Sequence, residues 1–303
     1  MNIGKLSFSE IIAAGFECRN VLFAARWLFL LFVSSSALGL LSIVLANSGA
    51  FGWANAVSII ETLAAAAIAI ILSLGAFTLA KASITKAKKV DTAASIKPLF
   101  WKTLGALIVL FLVVAVVLFA AYGIGFLVRV PYVGNSLMAL LLIPATIVFG
   151  LTAVFFLAGS KLLFALLVDK PKLSVLNAVK TLWAITSKAP EKLFFNFFLT
   201  IWPIGLTALA LSLLIGALAL LPYLAFGWSF PLYPLLQYAS QLGFAGLVTY
   251  SLGCALNYFA GAGFLINLLI GLGFFGVLSY GLGYVVSVSA AAYYSIYLDA
   301  GKK

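Results

Sequence analysis

From Leu193 to Leu298 the chain runs for 106 residues without a single Asp, Glu, Lys or Arg. A domain folded in water carries about 25–35% charged residues on its surface, so a stretch of this length has no soluble solution. It demands hydrocarbon as its solvent. The rest of the chain agrees: 65% of the residues are hydrophobic and 8% are charged, against about 25% charged in an ordinary globular protein. The net charge of +11 does not point to nucleic acid, because the basic residues punctuate apolar runs instead of forming one face. The aliphatic and aromatic content excludes disorder.

A helix needs about 20 apolar residues to cross ~30 Å of hydrocarbon. That rule predicts spans at Trp27–Ala46, Val57–Ala80, Thr103–Leu127, Leu137–Val168, Leu193–Leu221 and Gly263–Tyr297. The fourth and sixth exceed the requirement and are expected to tilt, kink or project. Pro144 and Pro203 are the natural kink points. Between the last two spans, Pro222–Ala262 is uncharged yet rich in Leu, Phe and Tyr. Three readings of it stand: a re-entrant segment, short helices flat on the outer surface, or part of an interface with another chain. Four compressed spans across the uncharged run would make eight in all; six is adopted. The expected fold is an all-α integral membrane protein of three transmembrane hairpins, forming one domain over residues 1–303.

Six spans place seventeen of the eighteen basic residues on one side, with Arg129 alone on the other. The positive-inside rule makes that side cytoplasmic, both termini included, in a cell membrane. Segment 1–26 lacks the apolar core of a cleavable signal. Ser7 and Glu10 spell a capping box, and apolar residues then recur at helical spacing, predicting an amphipathic surface helix. Similar stretches lie at Lys86–Lys102 and Lys170–Lys192. Lys86, Lys88, Lys89, Lys170 and Lys172 are the expected contacts to anionic headgroups.

The run Leu163–Lys188, LFALLVDKPKLSVLNAVKTLWAITSK, resembles a pattern in bacterial multi-pass proteins of the glycerophosphodiester-phosphodiesterase membrane-domain type. An aliphatic span ends in an acid (Asp169), a turn follows, and an amphipathic helix carries Ala178, Thr181, Leu182 and Thr186. The lead-in Ser7-Phe-Ser-Glu10 is similar too. The resemblance covers about residues 1–221. It implies a six-helix membrane domain with no assigned active site.

Chemistry has little to start from. There is no histidine, hence neither the usual general base nor the commonest metal ligand, and no nucleophile–base spacing appears. No catalytic, cofactor or metal residue is assigned. Cys18 and Cys254 fall on opposite sides of the bilayer and cannot pair. Glu61 is the one carboxylate inside an expected span, about one turn below its outer end, and intramembrane acids are functional candidates by default; a pair with Arg129 is the structural alternative. Asn196 and Asn267 are embedded polar groups. Gly271-Leu-Gly-Phe-Phe-Gly276 matches a dinucleotide fingerprint only in letters, since no strand precedes it and no acid follows until Asp299. Ser279, Gly283, Ser287 and Ala291 recur every four residues and suit close helix packing. Tyr293, Tyr294 and Tyr297 suit an inner aromatic belt, whereas Tyr280 and Tyr284 lie deeper and need hydroxyl partners.

These features predict a non-catalytic scaffold or accessory subunit of a larger membrane complex. The alternative is a transporter, channel or lipid-handling protein using a site near Glu61 and the fifth and sixth helices. The expected partners are the anionic cytoplasmic leaflet and either another protein or a second copy, met through the sixth helix or segment 222–262.

Overall fold

The computed structural model describes residues 2–87, 91–127, 158–188, 190–226 and 264–300, with isolated helical positions at 144, 146, 148, 152 and 156. Apart from a two-stranded ribbon and short turns, these residues are helical. Strands β1 (Asn2–Ile3) and β2 (Leu6–Ser7) pair antiparallel. The helices are α1 (Phe8–Gly15), α2 (Cys18–Asn47), α3 (Phe51–Ile84), α4 (Thr92–Leu127), α5 (158–169), α6 (Val175–Lys188), α7 (Pro190–Phe226) and α8 (Phe264–Ala300).

Five of them, α2, α3, α4, α7 and α8, are long and apolar enough to cross a membrane, and the chain is an all-α membrane protein. The span expected over 137–168 falls mostly outside the described residues; its described end is α5. Each of the five exceeds the ~20 residues that a bilayer asks for. The reason lies at their ends. Once nucleated, a helix propagates until something stops it, because adding a residue costs far less than starting a turn.

That rule separates the structure from the sequence reading at two of the three amphipathic stretches. Lys86–Lys102 is not a separate surface helix: Asp91 caps α4 by accepting from the Ala94 amide at 3.1 Å, and α4 then runs through Pro98 to Leu127. The first stretch divides into the ribbon, α1 and the start of α2. The third contains α6, whose Ala178 and Leu182 face inward. The Ser7–Glu10 box at the start of α1 is formed, with the Ser7 amide donating to Glu10 Oε2 at 2.8 Å. Those two Ser7 bonds, one from its amide and one from its hydroxyl, hold the Glu10 carboxyl below the ordinary carboxylate range. Helix α7 passes through Pro203, one expected kink point, without ending there.

The chain divides into two compact units. The first comprises residues 1–15, 73–203 and 288–303. Its core is the apolar run Leu162–Leu167 of α5 with Leu74, Phe77, Leu110 and Ile296, and Phe77 stacks on Phe164 at 6.0 Å. The second comprises 16–72 and 204–287. It is centred on Ala24, Leu28, Phe32, Leu72 and Phe275, with Phe32 stacked on Phe275 at 5.8 Å.

Candidate functional site

The most developed polar constellation lies in the first unit, where α5 ends. Helix α5 buries seven consecutive apolar side chains, Leu162 to Val168, and then reaches Asp169, a carboxylate at a helix C-terminus, where the macrodipole opposes negative charge. Three groups from distant parts of the chain compensate. Lys81 near the end of α3 places Nζ 3.0 Å from Asp169 Oδ1 and donates to the Val168 carbonyl at 3.3 Å. Tyr294 donates to Oδ1 at 3.2 Å and Tyr297 to Oδ2 at 3.0 Å. Lysine thus serves as counter-ion and as cap for an orphan carbonyl.

Partial burial pushes the Asp169 carboxyl up, but the Lys81 bond and charge and the two tyrosine hydroxyls outweigh it, and the group ends below its ordinary range. A half-exposed ion pair alone contributes about 1 kcal/mol or less. With both carboxylate oxygens occupied, the cluster fastens α3, α5 and α8 at one point. The sequence singles out Asp169, Tyr294 and Tyr297 but not their meeting with Lys81. The tyrosines were expected in an aromatic belt; instead Tyr294 is 1% exposed and Tyr293 and Tyr297 are also buried. A belt and a buried tyrosine share the same spacing in sequence, and only the position of Asp169 separates them.

Ser295 makes a second constellation beside it. Its hydroxyl donates to the Ile3 carbonyl at 2.6 Å and accepts from the Leu6 amide at 2.9 Å, while its carbonyl accepts from the Lys5 amide at 3.3 Å. Gly4 makes the ribbon's turn at φ +67°, and a Cβ there would lie 2.6 Å from the Ser295 carbonyl oxygen. Ser295 is the next step of the four-residue stripe, and that register was the signal available for it.

The stripe itself is occupied within the chain. Ser279, Ser287 and Ala291 are buried, and a Cβ on Gly283 would lie 2.9 Å from the Val21 carbonyl oxygen and 3.2 Å from the Ala25 amide of α2. The close-packing partner at Gly283 is therefore α2 of the same chain. Tyr284 donates to the Tyr280 hydroxyl at 3.3 Å and meets Phe16 edge-on at 4.8 Å.

Glu61 lies further from the start of its helix than expected, because α3 begins at Phe51 instead of near Val57. Ten residues of helix put it ~15 Å along the axis. Its carboxylate faces Gly39 of α2, with Oε2 3.8 Å from where a Cβ would stand, and one turn away Ser42 and Ser58 share a hydrogen bond of 3.0 Å. Asn196 is buried on α7. Asn267 belongs to α8, but its side chain lies outside the described residues, as do Arg129, Lys88, Lys89 and 227–262 of the outer segment. Lys86, Lys170 and Lys172 are exposed. Comparison with known proteins adds no relative: no family model, curated protein or solved structure matches the chain.

Proposed function

We propose that this chain is a non-catalytic scaffold or accessory subunit of a larger complex in the cytoplasmic membrane, with six spans and both termini in the cytoplasm. The observation that carries the reading is the Asp169 cluster. Lys81, Tyr294 and Tyr297 use both oxygens of the carboxylate to hold three helices together, which suits a fixed platform and leaves no spare group for a substrate. A partner has a surface to meet on α7, where Phe194, Phe195, Phe198 and Trp202 are exposed together. Gentle extraction from the native membrane followed by mass spectrometry tests this. A membrane protein in fixed ratio with the chain is the expected result, and a monodisperse lone chain refutes it.

One observation favours a second reading, a transporter, channel or lipid-handling protein. Glu61 faces Gly39 across the α2–α3 hairpin, in the first third of α3, and a carboxylate inside a span marks an ion or proton path by default. Glu61→Gln separates the two. On the scaffold reading it accumulates normally and the complex assembles; on the transport reading it folds normally and activity is lost.

A further inference from the structure

Helix α6 displays two faces of different character. Inward, Ala178 and Leu182 are buried, Val175 Cγ2 lies 3.4 Å from where a Cβ on Gly105 of α4 would stand, and Leu182 Cδ2 lies 3.7 Å from the same point on Gly159 of α5. Outward, Leu176 is 58% and Trp183 63% exposed, two turns apart on one stripe, with exposed Lys180 between them. Trp101, 73% exposed on α4, is followed by Lys102, whose Nζ donates to the Pro171 carbonyl at 2.8 Å and pins the turn that leads into α6. Lys97, Lys170, Lys172 and Lys188 are exposed on the same segments.

Large apolar side chains interleaved with lysine do not suit water. They suit the boundary of a bilayer, where indole and leucine enter the acyl layer and ammonium groups reach lipid phosphates. We propose that the outer face of α6, with Trp101 and Lys102 of α4 beside it, is a docking face for anionic phospholipid headgroups in the leaflet at the Lys-rich side. The occupant follows from charge: residues 170–188 contain four lysines and no acid, and the two tryptophans match the interfacial depth at which headgroup phosphates lie. The inference rests on the chain spanning a membrane and not on its being a scaffold.

The test uses the full chain in nanodiscs of phosphatidylcholine with and without phosphatidylglycerol. Native mass spectrometry reads which lipid is retained after exchange into detergent. Quenching by acyl-brominated lipid, as the difference between wild type and Trp183→Phe, reads the depth of Trp183. The expected result is preferential retention of phosphatidylglycerol, reduced about fivefold in Lys180→Gln but unchanged in Lys5→Gln, an exposed lysine on the ribbon with the same loss of charge. Trp183 should be quenched. Equal retention of the two lipids, equal effects of the two lysine variants, or an unquenched Trp183 would overturn the proposal, the last by placing the face in water or beneath a protein. Unchanged elution and thermal midpoint in Lys180→Gln exclude misfolding as the cause. A scaffold that finds no partner on extraction leaves this result untouched.

Discussion

The Ser295 hydroxyl donates to the carbonyl of Ile3 at 2.6 Å across 292 residues of sequence. Both residues are buried, so the first strand of the chain is bonded to its last described helix without water in competition. The geometry is tight on both sides, since Gly4 leaves no room for a side chain against the Ser295 carbonyl.

Ser295→Ala removes a donor from Ile3 and an acceptor from Leu6 together. Two backbone groups then lose their partners, and a buried orphan costs about 1–3 kcal/mol. Gly4→Ala adds a clash at a positive φ, worth at least about 1 kcal/mol. Limited proteolysis in detergent should release the N-terminal segment faster in both variants, with the rest of the helical core intact. Wild-type cleavage rates would show that the ribbon is not fastened.

Gly276 and Gly283 lie seven residues apart on α8 and should respond oppositely to alanine. A Cβ on Gly276 meets nothing within 4 Å, so Gly276→Ala should gain up to about 1 kcal/mol from helix propensity. At Gly283 the new Cβ meets the Val21 carbonyl and the Ala25 amide, and overpacking costs about 1–3 kcal/mol. Thermal midpoints of the two variants should move in opposite directions from wild type. Movement in the same direction would contradict the close approach of α2 and α8.

Acid should loosen the Asp169 cluster. The folded carboxyl titrates below its ordinary value, so its contribution is complete above a pH of about 4, the unfolded value, and is lost as the pH falls through the folded value. Asp169→Asn should lower the thermal midpoint at neutral pH and shrink the loss on acidification. Lys81→Met removes the counter-ion, moves the carboxyl upward and should start that loss at higher pH. An acid limb identical in all three proteins would remove Asp169 from the account.

Most of the helical architecture was legible because a hydrocarbon solvent leaves so large a mark: hydropathy alone placed a span on each of α2, α3, α4, α7 and α8, with one end matched to within a residue in α2, α4 and α8 and both ends short in α3 and α7. The ends were harder. Asp91 caps α4 and the helix runs on through Pro98, a residue that usually breaks or kinks a helix, and amphipathic spacing cannot distinguish a surface helix from the projecting end of a transmembrane one. The local Ser7–Glu10 box was readable because its partners are three residues apart. The Asp169 cluster was not, because Lys81, Tyr294 and Tyr297 lie 88 to 128 positions away and no periodicity links them. The stripe on α8 was visible in outline, but sequence could not say that Gly283 packs against α2 of the same chain.

A photo-crosslinking residue placed at Phe198 on the exposed face of α7, irradiated in native membranes, tests whether the chain acts by holding a protein partner there. One discrete protein adduct is expected, identical from Phe198 and Trp202 and absent when the probe replaces Leu162 in the buried core. Adducts to lipid alone from both exposed positions would contradict it.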